Sequence, residues 1–338
     1  MTNHPAPKVT PPNAQPVETG APDVTSPVDL DRERLARVAL TQLIEPARSA
    51  WRAVIGEHES ATDLYRAVLN GTLDETIRER MSEVAADAFA RARLAEQLAD
   101  LDPEVILTHA ANRGYRFVIP GDQEWPSQLD RLTGQRPIHR VSGAPLGLWV
   151  RGNLDLGALH DAVAVTGSRA ATPLGCEVSA RLAGDLANAG HVVVAGGAVG
   201  IDVAAHRGAL AGGGRTVAVL PTGVDRLWPA INESLLEAVA ENGAVVSEYA
   251  PGSVVTRTRG LARARLVAAL SLGTVVVEAS ARSGALVTAL WAERLNKPVM
   301  AVPGPVGSTT SIGTNRLIQD GRASLITDAD DIRQVIEP

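Results

Sequence analysis

The chain has 338 residues, a formal net charge of −6 and 45% hydrophobic residues, enough for one large domain and a smaller one with burial sufficient for independent stability. No run approaches the roughly 18 apolar residues of a membrane helix, and one cysteine, Cys176, excludes an internal disulfide framework. Lysine occurs only at Lys8 and Lys297, neither in a Gly-Lys-Ser/Thr loop, which excludes a P-loop nucleotidase; HExxH, CxxC and GxSxG are also missing from the sequence.

The first segment, "MTNHPAPKVTPPNAQPVETGAPDVTSP", is rich in proline and lacks the basic start and apolar core of a signal peptide. It predicts a disordered leader over 1–28 and a protein that stays in the cytoplasm. Residues 29–112 predict a small helical domain, because "DLDRERLARVALTQLI" and "VAADAFARARLAEQLADL" place apolar residues at three- and four-residue spacing. Residues 113–160 read as a connecting segment with two short β-type runs, in "YRFVIPGDQEWPSQLDRL" and "PLGLWVRG".

From residue 161 the pattern changes. Valine-rich apolar runs at 162–166, 191–195, 216–220, 244–249, 274–279, 299–303 and, weakly, 324–326 alternate with helix-length segments such as "GCEVSARLAGDLANAG" and "SGALVTALWAERLNK". Continuous apolar strands separated by helices predict a parallel sheet covered on both faces, a doubly wound α/β domain over 161–338. Ligands of such sheets bind outside the carboxyl ends of the strands, so the residues after each strand carry the functional reading.

Three of these loops stand out. After the first strand, Gly167-Ser168-Arg169 combines close backbone approach, a hydroxyl and a planar cation suited to phosphate. After the second, "AGGAVGIDVAAH" places Gly196, Gly197 and Gly200 before a helix opened by Ile201 and Asp202. Asp202 and His206, four residues apart, share a helix face and read either as an acid–base pair or as capping and structural hydrogen bonding. The third, "VVVEASARSGALVTA", ends a strand at Glu278 and opens a helix with Arg282-Ser283-Gly284. Further on, "VPGPVGSTTSIGTNRLIQDG" is a glycine- and hydroxyl-rich loop with Asn315 and Arg316 heading a helix. The acid-free stretch 251–270 carries Arg257, Arg259, Arg263 and Arg265. Together these basic turns predict an anion track on an otherwise acidic protein.

"VAVTGSRAATPLG", "VVVAGGAVGIDVAAHRGAL", "VAVLPTGVDRLWPAINESLLEAVAENGAVVSEYAPG", "SLGTVVVEASARSGALVTA" and the segment ending "IQDGRA" occur in that order, over about residues 145–326, and resemble the DNA-processing protein A, or Smf, family. "GDQEWPSQL" and "LWVRGN" resemble its lead-in. The resemblance implies a Rossmann-like protein of natural transformation and recombination. Such a protein binds incoming single-stranded DNA, shields it, loads the RecA recombinase, acts as a homodimer and carries no catalytic step, cofactor or metal. Its phosphate-gripping loop falls on Gly167, Ser168 and Arg169. Its glycine turn falls on Gly196, Gly197, Gly200, Ile201 and Asp202, and its helix start on Ser283 and Gly284. Arg263, Arg265, Arg282 and Asn315 extend the expected DNA-binding set.

Two departures thin the charge: Val199 stands where the family usually has arginine, and its Phe-Pro-Arg-Arg-Asn-Arg run is Gly260-Leu261-Ala262-Arg263-Ala264-Arg265 here. The resemblance leads to the expectation that the winged-helix domain some members append after the segment matching "ITDADDI" is missing here. Aromatic residues are 3% of the chain, so electrostatics should dominate over stacking, with Trp228 and Tyr249 as candidates either to stack a base or to pack the sheet edge. The competing reading is a nucleotide-processing phosphoribohydrolase on a related sheet, with Glu278 as its acid.

Overall fold

The structure, a computed structural model, describes residues 27–45, 47, 60–70 and 96–337. Of the leader expected over 1–28, residues 1–26 lie outside the described residues, while Pro27 and Val28 already belong to the first helix; most of the helix expected over 84–101 also lies outside the described residues.

Helix α1 (Pro27–Leu43) and helix α2 (Ala61–Leu69) pack through Ala39, Leu40, Leu64 and Val68 into a small apolar cluster that also takes Leu98 and Leu146. Helix α3 (Pro103–Ala111) starts at the Asp102 cap, with proline in the first turn, where its missing N–H costs nothing. Arg34 of α1 ties this helical region to the segment 117–122 by a bidentate pair with Asp122 at 2.7 and 2.8 Å and a bond to the Phe117 carbonyl.

Strands β1 (Tyr115–Val118) and β2 (Leu148–Gly152) pair with each other, and β2 pairs with β6 (Ala244–Ser247), both antiparallel. The segment expected as a connection thus forms the edge of the main sheet, which begins at residue 115. Burial explains it: Leu148, Trp149 and Val150 are fully covered, and the Phe117 and Trp149 rings lie 4.7 Å apart.

The remaining strands are parallel: β3 (Val163–Thr166), β4 (Val193–Gly196), β5 (Thr216–Val219), β6, β7 (Thr274–Val276), β8 (Val299–Ala301) and β9 (Ser324–Leu325). The nine strands lie in the order β1-β2-β6-β5-β4-β3-β7-β8-β9. Alternation places Val163, Val165, Val193 and Ala195 in one core with α4 (Pro173–Asn188) and α5 (Ile201–Ala211). Ala164, Val194, Val217 and Val276 face the opposite core, with α7 (Arg257–Ala269) and α8 (Ala285–Arg294). Helices α6 (Glu233–Asn242), α9 (Ile312–Gln319) and α10 (Ala329–Ile336) complete the layers. The sheet is therefore covered on both faces, as its valine runs require.

The chain winds from β3 out to β6 on one side, then crosses back to begin β7 on the other. The order of winding reverses between β3 and β7, and a crevice opens where their carboxyl ends diverge.

Candidate nucleic-acid interface

At that crevice lies a cleft of about 680 Å³, bounded by the loops after β3, β4 and β7 and by α7. It brings together Gly167, Ser168, Arg169, Gly196, Asp202, Arg263, Arg282, Ser283 and Gly284, residues scattered over more than a hundred positions of sequence. Gly197, Gly200 and Ile201 form the turn behind it.

The Gly167-Ser168-Arg169 loop is stitched in place from both sides. The Ser168 N–H donates to the Glu278 carbonyl at 2.7 Å, and the Ile201 N–H donates to the Ser168 carbonyl at 3.2 Å. Two glycines make this packing possible. Gly200 has φ +88°, and a Cβ there would lie 2.3 Å from the Ser168 carbonyl oxygen; a Cβ on Gly196 would meet the Arg263 guanidinium at 2.4 Å. Helices α5 and α8 open from glycines without a side-chain cap on the N-cap residue, which turns their positive dipole ends toward the cleft, while the Ile201, Ala285, Leu286 and Val287 N–H groups are already bonded to Ser168, Ser283 and Gly284.

Glu278 braces the same loop. Its carboxylate accepts from the Thr172 N–H at 2.9 Å and the Thr172 hydroxyl at 2.6 Å, while Thr172 caps α4 through the Gly175 N–H at 3.0 Å. The carboxylate expected to serve as an acid in the hydrolase reading is thus a strut under the basic turn. Glu278→Ala is expected to loosen the turn, seen as faster amide exchange over 168–176 with exchange in β4 and β5 unchanged. Equal exchange in both proteins would show that Glu278 braces nothing.

The arginines of α7 part company. Arg265 was expected on the DNA track, but its side chain and that of Glu248 are both 0% exposed, joined at 2.7 and 2.5 Å. It is an interior ion pair and reaches no ligand. Arg259 is bound to Glu45 at 2.7 and 3.0 Å and lies 4.7 Å from the Tyr249 ring centroid. Tyr249 itself is buried, so it packs the sheet edge. Arg263 does reach the cleft floor, paired with Asp202 at 3.2 Å. Burial pushes the Asp202 carboxyl up against the pull of Arg263, and pulls the Arg263 guanidinium down against the pull of Asp202. Only Arg257, at the mouth, is exposed. Arg169, Arg257 and Arg282 thus stand as the cleft cations with no carboxylate partner among the described residues.

Asn315 also departs from expectation. Its amide bonds both backbone groups of Gly304 at 3.0 Å, closing the loop before α9 away from the cleft. Asp202 and His206 do not pair either: Asp202 accepts from Arg263 and from Thr166 at 3.3 Å, while the His206 ring lies 2.9 Å from the Gly196 carbonyl and 2.8 Å from the Thr216 hydroxyl. Sequence reasoning missed Asn232, whose side-chain N–H donates to the Gly197 carbonyl at 2.9 Å and holds the glycine turn. Trp228, open to two roles on sequence grounds, is half-buried and lines the cleft, with the Arg169 guanidinium 5.9 Å from its ring centroid. Among the described residues no helix is long and apolar enough to cross a membrane, and no cluster of three metal-ligating side chains occurs.

Residues 116–337 match the family model of DNA recombination-mediator protein A. The putative DNA processing protein DprA of Mycobacterium tuberculosis H37Rv is 40% identical over 302 residues, covering 87% of this chain and 76% of that protein. DNA processing protein DprA of Streptococcus pneumoniae R6 is 39% identical over 195 residues, 58% of this chain and 68% of the relative. The X-ray structure of DNA processing protein A from Streptococcus pneumoniae superposes with a TM-score of 0.67 at 29% identity, over 90% of this chain and 97% of that one. A solved structure of DNA processing protein A from Helicobacter pylori, described for its single-stranded DNA binding mode, superposes with a TM-score of 0.58 at 29% identity, over 66% of this chain and 95% of that one.

Proposed function

The chain belongs to the DNA recombination-mediator protein A family, and from that premise we propose that its cleft binds single-stranded DNA by the sugar–phosphate backbone, without reading sequence. The observation that carries the reading is the convergence of Arg169, Arg257 and Arg282 with two helix N-termini at the switch point of the sheet. Phosphate oxygens find positive charge there, from the guanidinium groups and the helix dipole ends, and contacts to phosphate carry no sequence information. On this reading the protein acts in the cytoplasm as a homodimer without a catalytic step, shields incoming DNA during transformation and recombination, and hands it to the RecA recombinase. The engagement of Glu278 with Thr172 supports the absence of a hydrolytic acid.

Fluorescence anisotropy with labelled single-stranded oligonucleotides of two unrelated sequences tests the reading. Three phosphates neutralised at roughly 0.7 each predict a slope of log affinity against log salt of about −2, reduced to about −1.4 in Arg169→Ala. The loss of affinity should be the same for both sequences. An unchanged slope in the variant removes Arg169 from the site, and no binding of the wild-type protein at low salt overturns the function.

A further inference from the structure

The loops at the carboxyl edge emerge in the order of the strands. Val254 follows β6, Trp228 and Ile231 follow β5, Val199 follows β4, Arg169 follows β3 and Arg282 follows β7. The exits of β4, β5 and β6 thus carry exposed aliphatic side chains beside the exposed Arg226 and Arg257. Val199, Val254 and Ile231 are 39%, 55% and 83% exposed. Isolated exposed aliphatics are ordinary; an aromatic ring opening onto a basic cleft beside them is not. Trp125, Trp149 and Trp291 are buried and Tyr249 lies under Arg259, so Trp228 is the aromatic among the described residues that lines the cleft.

We propose that the nucleobase adjoining the phosphate held by Arg169 stacks on Trp228, so that at this nucleotide the backbone faces the β3 exit and the base faces the β5 exit. The proposal rests on the single-strand reading and deepens it. Arg169 now stands over the indole; a phosphate drawing the guanidinium toward itself uncovers the ring face for the base. Stacking tolerates any sequence because every base has a π-face, so this contact adds affinity without specificity. A paired base inside a duplex has both faces covered by its neighbours, and this orientation therefore selects single strands where backbone contacts alone do not.

The test compares binding of wild type and Trp228→Leu to a thymine oligonucleotide and to an abasic oligonucleotide of equal length. Wild type is expected to prefer the thymine strand by about 5- to 150-fold, the range of one aromatic–base stack. Trp228→Leu should bind both alike, with the wild-type salt slope, and Trp228→Phe should recover part of the preference. Equal wild-type binding to both strands overturns the stack and leaves the single-strand reading standing; binding to neither overturns both. A thymine preference that survives in Trp228→Leu overturns the assignment to this ring. If leucine also weakens abasic binding, permanganate oxidation of a thymine placed in the wild-type complex decides: protection supports the stack, and full reactivity overturns it.

Discussion

Arg265→Ala is expected to lower the stability of the fold by about 3–5 kcal/mol, the cost of leaving one partner of a buried ion pair uncompensated. Against a total of roughly 5–15 kcal/mol for a folded domain, that is enough to unfold much of the protein at moderate temperature. The size reflects the surroundings. The Arg265 fork meets both oxygens of Glu248, and its remaining donors meet the Gly143 and Ala262 carbonyls at 2.9 and 3.0 Å. Alanine would strand the Glu248 carboxylate where no water reaches it. Glu248→Gln should cost a similar amount, and Arg265→Lys nearly as much, because a single ammonium cannot match the bidentate geometry. Replacing both by methionine and leucine should restore most of the loss, since apolar residues of similar volume often substitute for a buried pair. Urea denaturation monitored by circular dichroism measures all four. A loss under about 1 kcal/mol in Arg265→Ala, well below the range for a broken buried pair, would show that the pair holds nothing.

Acid should weaken the fold well before its surface carboxylates titrate. His206 is buried, and burial together with the nearby Arg263 charge pulls its imidazole down to about 4 from 6.5, against the pull of the Gly196 carbonyl. The Thr216 hydroxyl lies 2.8 Å from Nδ1. In the neutral ring Nε2–H donates to the Gly196 carbonyl, while the Thr216 hydroxyl beside Nδ1 donates its own proton to the Val193 carbonyl at 2.7 Å. Between pH 6.5 and about 4 the unfolded chain therefore binds a proton that the native state refuses. Stability contributed by the neutral ring is complete above a pH of about 6.5 and is lost as pH falls through this window, about 3 kcal/mol at roughly 1.4 per pH unit. Asp202, pushed up by burial, works the other way, since its native carboxyl takes up a proton early. Comparing wild type with His206→Gln separates the two groups. The difference in the fall of stability between about pH 7 and 4.5 should be at least roughly 2 kcal/mol by the linkage relation, and parallel profiles would show that His206 is already charged in the native state.

The parallel half of the sheet was legible from valine runs because a strand buried on both faces leaves no polar alternation to confuse with a helix. The loops after β3, β4 and β7 were legible for a related reason: fold topology alone directs attention to strand ends. Two features were not. The two short β-type runs at β1 and β2 could be read, but not their place in the sheet, because only the pairing of β2 with β6, nearly a hundred residues on, and of β1 with β2 joins them to it. The fates of Arg259, Arg263 and Arg265 were hidden as well. The segment 251–270 contains no acid, so it reads as an unopposed basic helix; its counter-charges, Glu45, Asp202 and Glu248, arrive from just beyond α1, from α5 and from the exit of β6. Composition counts charges, whereas pairing is set by contacts across the chain. Asn315 misled in the same way, since a helix-opening asparagine beside glycine and hydroxyl residues looks identical whether it faces a ligand or closes its own loop.

The free cations of the cleft are all arginines, and Lys297, the lysine among the described residues, is turned inward onto the Ala268, Ala269 and Ser271 carbonyls. A guanidinium keeps its proton at any pH a folded protein survives, and lysine acetylation, the common way of erasing positive charge after synthesis, has no substrate among these cations. The charge that meets an anion here is consequently permanent, and control of occupancy falls to competition for the arginines rather than to their neutralisation.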